Sequence, residues 1–241
     1  MIYYTCSIAS VNAADKDKYI AHAVAMWPLF KSCGATRMVE AWGVDVPKGE
    51  VTDFYRAVDA KDGEAIVFSW IGWPDKATAD ASWQKMQDDP AMQSVPEMPF
   101  DGGRMIFGGF KPVFLNGQDA AAGYFQGFTV AVPEANKVAY IKLAAEFWPM
   151  FQKRGALGMV ETWGEDVPHG KKTDFYRATK AQHGERVVFS WIAWPDRATC
   201  DAAAQAMDVE MNGMDMSAMP FDGMRMMWGG FEPVFDSGPD A

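Results

Sequence analysis

The sequence predicts an α+β protein made of two similar units whose β-sheets pack face to face. Three observations support this fold class: a repeat that spans almost the whole chain, a mixture of strand and helix patterns within each repeat, and strands that are apolar on both faces. The chain has 241 residues, of which 49% are hydrophobic and 22% charged, so it is long enough to bury a sizeable core.

The repeat relates each residue of the first half to one in the second half at a constant spacing. Phe100 matches Phe221, which lies 121 positions later, and the same spacing pairs Glu40 with Glu161. No insertion is needed between residues 3 and 114. We therefore predict two domains, residues 1–115 and 124–241. A linker of small and polar residues at 116–123 joins them.

Each unit contains strand and helix patterns in a fixed order. In the first unit, residue type and alternation predict strands over residues 3–11, 36–42, 52–57, 65–73 and 104–113. Helices are predicted over residues 13–32 and 74–87, with Gly34 as the C-terminal cap of the first and Pro28 as a kink within it. The order β-α-β-β-β-α-β resembles a ferredoxin-like fold with one added strand in each unit.

Two of the predicted strands are apolar on both faces. Residues 65–73 read AIVFSWIGW and residues 105–110 read MIFGGF, with apolar side chains at odd and even positions. An antiparallel sheet with one face in water would alternate instead, so both faces of these strands need cover. The two helices of a unit can cover one face, and the sheet of the other unit can cover the second. We therefore predict an intrachain pseudo-dimeric α/β barrel.

Charge and cysteine content exclude several classes of function. The formal net charge of −10 argues against nucleic-acid and membrane partners, which favour basic surfaces. No apolar run reaches the roughly 18 residues of a membrane-spanning helix, and no signal peptide is recognised. Three widely spaced cysteines without a Cys/His cluster predict neither disulfides nor a zinc site. We expect a cytoplasmic protein without metal or cofactor, either a monomeric pseudo-dimer or a weak homodimer.

Glu40 and Glu161 are the first candidates for catalysis because they repeat within one motif, VE-x-WG. Each shares a strand face with a tryptophan two positions later, Trp42 or Trp163. A carboxyl group beside an indole in a dry pocket should have a raised pKa, which suits a general acid or base. The alternative is a glutamate that is simply paired with a nearby arginine.

The motif TDFYRA, at residues 52–57 and 173–178, provides the second set of candidates. Read as a strand, it places Asp53 and Tyr55 on one face, where they could transfer a proton, and Arg56 on the other. Arg56 could hold a carboxylate or phenolate, because its guanidinium group suits planar anions. The second copy supplies Asp174, Tyr176 and Arg177. The alternative is cross-strand ion pairing that holds an added hairpin in place.

Other repeated or unusual residues have a structural interpretation or two open ones. Trp70 and Trp191, in the apolar strands, are expected to form the walls of a binding pocket. Asp101 and Arg104, in MPFDG, are expected to form a turn and to begin the last strand. The methionine-rich segment at 211–219 could bind copper or act as an apolar lid. No histidine repeats, so no histidine-based site is common to both halves.

Long strings in both halves carry a family resemblance. VETWGEDVPHGKKTDFYRA, ERVVFSWIAWPDRA and MPFDGMRMMWGGFEPV resemble the YbaA-like family of small bacterial proteins, a domain of unknown function (DUF1428). The first half carries VEAWGVDVPKGEVTDFYRA, EAIVFSWIGWPDKA and MPFDGGRMIFGGFKPV. The family is similar to the dimeric α/β-barrel superfamily, which includes cofactor-free monooxygenases, isomerases, lyases and haem-handling proteins.

The resemblance implies a function at the level of the superfamily only. We expect a cofactor-independent enzyme of lyase, isomerase or monooxygenase type, acting on a small hydrophobic, aromatic molecule in the barrel interior. The alternative is a non-catalytic protein that binds a small molecule or serves as a scaffold. Haem or metal carriage is a third possibility, but no repeated histidine or cysteine supports it.

Overall fold

The computed structural model describes residues 1–211 and 219–238, which form eight strands and six α-helices. The strands are Tyr3–Asn12 (β1), Arg37–Asp45 (β2), Glu64–Trp73 (β3), Ile106–Gly117 (β4), Tyr124–Pro133 (β5), Gly158–Asp166 (β6), Glu185–Trp194 (β7) and Met227–Asp236 (β8). The helices are Lys16–Ser32 (α1), Phe54–Ala57 (α2), Lys76–Asp88 (α3), Lys137–Lys153 (α4), Phe175–Ala178 (α5) and Arg197–Met211 (α6).

The eight strands form one closed antiparallel barrel in the order β1-β3-β2-β8-β5-β7-β6-β4. The first half supplies four adjacent strands, β4-β1-β3-β2, and the second half supplies β8-β5-β7-β6. The halves join at two seams, where β2 pairs with β8 and β4 pairs with β6. Each half therefore covers the open sheet edges of the other. The predicted α+β class and the barrel are confirmed.

The predicted strand at 52–57 is wrong, and with it the added strand of each unit. Phe54–Ala57 forms a single helical turn, and the Asp53 carboxylate caps it by accepting a hydrogen bond from the Arg56 amide at 2.8 Å. The second half repeats this turn as α5, with Asp174 at the cap. The N-cap preference of aspartate therefore outweighs the alternation of polar and apolar residues that suggested a strand.

The two short helices, α2 and α5, pack against each other and against the barrel core. The Thr52 hydroxyl donates to the Ala178 carbonyl at 2.6 Å, and the Thr173 hydroxyl donates to the Ala57 carbonyl at the same distance. Phe54 and Phe175 both belong to the barrel core and are fully buried. These contacts tie the two halves together a third time, beyond the two seams.

Aromatic side chains from both halves fill the barrel. Phe68 stacks on Phe189 with ring centroids 4.1 Å apart, and Trp70 stacks on Trp191 at 4.4 Å. All four belong to one continuous cluster of buried residues. The expectation of a ligand site inside the barrel is therefore wrong, because stacked rings occupy that space.

The repeated MPFDG stretch forms the turn that the sequence predicts, and its arginine ties that turn to β3. The Arg104 amide donates to the Asp101 carbonyl at 2.9 Å, which closes the turn before β4. The buried Arg104 guanidinium then binds both Glu64 carboxylate oxygens at 2.7 Å. This pairing lowers the pKa of Glu64 to about 2. In the second half, Arg225 binds Glu185 in the same way.

The helix ends and the joint between the halves show local effects of sequence. Gly34, which follows the C-cap residue Cys33 of α1, has a φ of 100°, which glycine adopts without strain. Pro28 lies inside α1. The predicted linker begins within β4, and Asp119 is held there by Arg37 and by the Trp191 indole, whose Nε1 donates at 3.1 Å.

Candidate functional site

A groove of about 1450 Å³ lies outside the barrel, between the sheet of the second half and the helices that cover it. Strands β5, β6 and β7 form its floor, α4 and α6 form its sides, and the segment from Met219 to Trp228 completes it. Besides Tyr140, its aromatic lining residues are Phe128, Phe147, Phe151, Trp194, Phe221 and Trp228. An apolar concave surface with a few polar groups is typical of a small-molecule site.

Glu161 is the buried acid on the floor of this groove. It lies on β6, is only 6% exposed, and contacts the groove through its side chain. The Tyr140 hydroxyl, from α4, donates a hydrogen bond to its carboxylate. Ser190 is the cross-strand neighbour of Glu161 in the sheet, and its hydroxyl lies close enough to lower the pKa of the carboxyl group as a second polar partner. Among the described residues no cation pairs with this carboxylate, which differs from the arginine pairing considered above.

Burial decides the charge state of Glu161. Loss of solvent raises the pKa of Glu161 from 4.5 to about 7, although the hydrogen bonds from Tyr140 and Ser190 act in the opposite direction. The phenol of Tyr140 responds to the same surroundings, since burial and the adjacent carboxylate raise its pKa well above 10. Near neutral pH the glutamate is therefore divided between its acid and carboxylate forms, and Tyr140 stays a donor.

The first half repeats these polar residues, but Glu40 lies outside the cavity that the described residues form on the corresponding face. Glu40 accepts hydrogen bonds from the hydroxyls of Tyr19 and Ser69, and burial raises its pKa above the ordinary value. The corresponding face of the first half has a cavity of about 250 Å³, lined by Trp83 and Phe107, and Glu40 is not among its lining residues. Residues Thr5, Ala79, Trp83 and Phe107 there correspond to Gln126, Cys200, Ala204 and Trp228 in the groove.

The tryptophans of the VE-x-WG motif lie on the helix-facing side of their strands, as their glutamates do. Trp42 packs near Tyr19, with ring centroids 6.2 Å apart, and Trp163 packs near Tyr140 at 6.4 Å. Lys137 lies 4.8 Å from the Trp163 ring, in a cation–π contact. Trp163 therefore supports the tyrosine that binds Glu161 and does not itself line the groove.

The TDFYRA residues lie apart from the groove and hold their own loops. The Asp174 carboxylate accepts from the amides of Arg177 at 2.8 Å and Gly170 at 3.1 Å. The Arg177 guanidinium in turn donates to the Gly170 carbonyl at 2.9 Å. Tyr176 lies against His169, with ring centroids 4.9 Å apart.

The first copy of the motif makes equivalent contacts. The Asp53 carboxylate accepts from the Gly49 amide at 3.2 Å, and the Arg56 guanidinium donates to the Glu50 carbonyl at 3.0 Å. Tyr55 packs against the barrel core. None of the six sequence-predicted residues of the two motifs lines the groove.

Two further sequence-predicted residues, Trp70 and Trp191, belong to the barrel core and do not line the groove either. The residues that sequence reasoning missed are Tyr140, Ser190 and Trp194. The signal that could have found them is the repeat itself, because Tyr19, Ser69 and Trp73 occupy the matching positions.

Residues 1–211 and 219–238 show neither a metal-binding cluster nor a membrane-spanning helix. Within them, no group of three or more His, Cys, Asp or Glu side chains is placed to hold a metal ion. Across the same part of the chain, none of the helices combines the length and the apolar character needed to span a bilayer. Most of the methionine-rich segment at 211–219 lies outside the described residues, so its two interpretations stay predictions.

The fold places the chain in the class of α+β proteins with an antiparallel eight-stranded barrel. A candidate monooxygenase from Fusobacterium nucleatum matches with a TM-score of 0.56 at 9% identity, over 99% of this chain and 95% of that one. An anthrone oxidase-like protein matches with a TM-score of 0.55 at 9% identity, over 98% of this chain and 93% of that one. At this identity the likeness shows the fold alone.

The chain belongs to the family described as proteins of unknown function (DUF1428), which matches residues 2–102 and again residues 123–223. The uncharacterized protein YbaA of Escherichia coli K12 is 51% identical over 115 residues, which is 47% of this chain and 97% of that protein. YbaA of Shigella flexneri matches to the same extent. The family resemblance read from the sequence, in two tandem copies, is confirmed.

Proposed function

We propose that this chain is a cofactor-independent enzyme that acts on a small apolar, aromatic molecule in the groove of the second half. One observation carries the proposal: Glu161, whose pKa is raised to about 7, faces an apolar groove of about 1450 Å³. A base with a pKa near the working pH is efficient in proton transfer. The barrel relatives described as oxidase-like or candidate monooxygenases favour oxygen chemistry, by analogy of fold only.

In the proposed mechanism, the Glu161 carboxylate removes a proton from an acidic C–H or O–H group of the substrate. Tyr140 and Ser190 orient the carboxylate by hydrogen bonds, and the aromatic walls of the groove exclude water. An isomerase would return the proton to another carbon, and a lyase would give it to a leaving group. A monooxygenase would let the resulting carbanion give two electrons to dioxygen and form a hydroperoxide at that carbon, which then loses water to leave a carbonyl group. We assign no proton transfer to Asp53 or Asp174, because helix capping occupies their carboxylates.

We also propose that the chain is a monomeric pseudo-dimer of two ferredoxin-like domains, residues 1–115 and 124–241. The seams β2–β8 and β4–β6 support this organisation because they pair the sheet edges that a single unit would leave open. The asymmetry between the halves supports one ligand site per chain, since Trp83 in the first half stands where the groove has Ala204.

The test is hydrogen–deuterium exchange at the acidic carbon of a model ketone, 2-tetralone, followed by NMR in D₂O. We expect the wild-type protein to accelerate exchange and Glu161→Gln to reduce that acceleration by about 100-fold or more, the usual contribution of a general base. Glu40→Gln is the matched variant, because it alters the equivalent polar trio of the first half, which lies away from the groove of the second half. Wild-type exchange that Glu161→Gln leaves unchanged would overturn the proposed role of Glu161.

The second candidate is a non-catalytic binding or scaffold protein. It is favoured by the occurrence of the same Glu-Tyr-Ser trio in the first half, where Glu40 is buried but does not line the cavity of about 250 Å³ on that face. This reading predicts that Glu161→Gln shifts the melting temperature, that no wild-type exchange is seen, and that native mass spectrometry still detects a retained small molecule.

A further inference from the structure

The Asp, Glu, Lys, Arg and His side chains among the described residues that line the groove are all acidic. Among the described residues that line it, Asp208, Asp222 and Glu161 are acidic, and none is lysine, arginine or histidine. Arg225, which lies between the lining residues Met224 and Met226 in the sequence, forms ion pairs with Glu185 at 2.8 Å and with Asp222 at 3.0 Å. A carboxylate ligand would lose its water in this groove and find no cation to replace it. The groove therefore disfavours anions.

Trp194 adds a hydrogen-bond donor that is unpaired within the described part of the chain. It is 1% exposed and lines the groove, and its Nε1 atom is buried without a hydrogen-bond partner among the described residues. Its counterpart in the first half, Trp73, donates to the Thr5 hydroxyl at 3.0 Å. Gln126 replaces Thr5 in the second half and lines the same groove. An unpaired buried donor costs about 1–3 kcal/mol, so an acceptor atom placed beside it is favoured.

From these two observations we propose that the groove selects neutral aromatic molecules that carry a hydrogen-bond-accepting oxygen, such as a ketone, and that Trp194 binds that oxygen. The proposal rests on the proposed function in taking the same groove as the site. Nε1 is covered in this structure, so the oxygen reaches it only when a covering group moves aside. Trp194 is then a specificity-determining residue that the first half cannot match, because Thr5 already pairs with Trp73.

Three probes of one shape test this proposal by equilibrium dialysis against the full chain at pH 8. They are 2-acetylnaphthalene, which is neutral and has an acceptor oxygen, 2-naphthoate, which is an anion, and 2-ethylnaphthalene, which has no oxygen. We expect the ketone to bind about tenfold more tightly than the naphthoate. In Trp194→Phe, ketone affinity should fall about 3- to 10-fold, as the loss of one hydrogen bond implies, with the hydrocarbon unchanged.

Two further variants separate donor loss from repacking. Gln126→Thr restores the hydroxyl that the first half has at this position, so we expect Trp194 to pair internally and ketone affinity to fall while hydrocarbon affinity holds. Trp73→Phe breaks the equivalent bond in the first half and should lower the melting temperature without changing the binding of any probe.

Three outcomes of these measurements would overturn the proposal or one of its parts. Naphthoate binding as tightly as the ketone would refute the charge selection, and an equal loss of ketone and hydrocarbon affinity in Trp194→Phe would refute the donor role. Failure of all three probes to bind would refute the ligand class. Each affinity is also measured in Glu161→Gln, which cannot act as the base. If the wild-type protein accelerates exchange but does not select the ketone, this proposal fails and the proposed function stands. If the wild-type protein selects the ketone but does not accelerate exchange, the proposed function fails and this proposal stands.

Discussion

Glu161 has two neutral hydroxyl partners, and this environment determines the pKa of its carboxyl group. By contrast, Glu64 and Glu185 each bind an arginine, and that hydrogen bonding lowers the pKa of both below its ordinary value. Glu161 has no described cation within reach, so desolvation dominates and raises its pKa to about 7. The same residue type thus serves as a fixed anion at the start of β3 and β7 and as a titrating group in the groove.

The raised pKa of Glu161 predicts a dependence of stability on pH. Folded protein keeps the proton up to about pH 7, whereas the unfolded chain loses it near 4.5. The contribution of Glu161 to the free energy of unfolding is therefore complete below 4.5 and decreases as pH rises through 7. Over that window the decrease is about 3 kcal/mol. Urea denaturation of wild-type and Glu161→Gln protein at pH 4.5, 6 and 7.5 measures it as a difference that moves in favour of the variant.

Subtracting the variant removes the contribution of Glu40, which has the same sign and is common to both proteins. Because the carboxyl is buried, 0.5 M NaCl should leave the difference nearly unchanged, unlike an exposed ion pair. A wild-type-minus-variant difference that stays constant from pH 4.5 to 7.5 would show that the pKa of Glu161 is not raised.

At the scale of elements, the short helices α2 and α5 use the carboxylates of two catalytic candidates, Asp53 and Asp174, as N-terminal caps. We expect Asp174→Ala to lower the free energy of unfolding by about 1–2 kcal/mol, since it removes the cap of α5. Asp174→Asn keeps an acceptor and should lose less. Chemical denaturation measures both effects, and Asp53→Ala provides the same change at α2. Abolished 2-tetralone exchange with unchanged stability in Asp174→Ala would instead restore its predicted catalytic role.

The sequence predicts most elements because the signals that specify them are local. The two-sided apolar strands and the glycine at the end of α1 can be read from neighbouring residues, and the structure has both. The strand predicted at 52–57 fails because a four-residue turn with an aspartate cap has the same letters as an alternating strand. Local signals are ambiguous when a segment is this short.

The candidate site could be predicted only in part, for a reason of packing. The glutamate is visible from the repeat, but which side of the sheet holds the cavity depends on how large side chains are divided between the two faces. Stacked rings such as Phe68 and Phe189 fill the barrel, while Ala204, where the first half has Trp83, leaves room on the side of the groove that α6 forms. Such differences in volume between distant residues leave no periodic signal in the chain.

At the scale of the whole molecule, the barrel makes the two halves one folding unit. A single cluster of buried residues contains side chains from both halves, and the two hydrogen-bonded seams close the sheet around it. Neither half can lose its structure without exposing the core and the sheet edges of the other. The two domains that the sequence predicts are therefore expected to unfold together as one cooperative unit.

This organisation predicts a single unfolding transition that remains single when the core is damaged. Phe189 is fully buried and stacks on Phe68 of the other half at 4.1 Å, so Phe189→Ala should lower the free energy of unfolding by about 3–5 kcal/mol. For each protein, wild type or variant, calorimetry and fluorescence should give the same midpoint of unfolding. Val138→Ala, at a residue 79% exposed, should leave the midpoint unchanged. Two separate transitions in Phe189→Ala would mean that the first half keeps its fold after the second has unfolded. That result would contradict the prediction that the shared core makes the two halves unfold together.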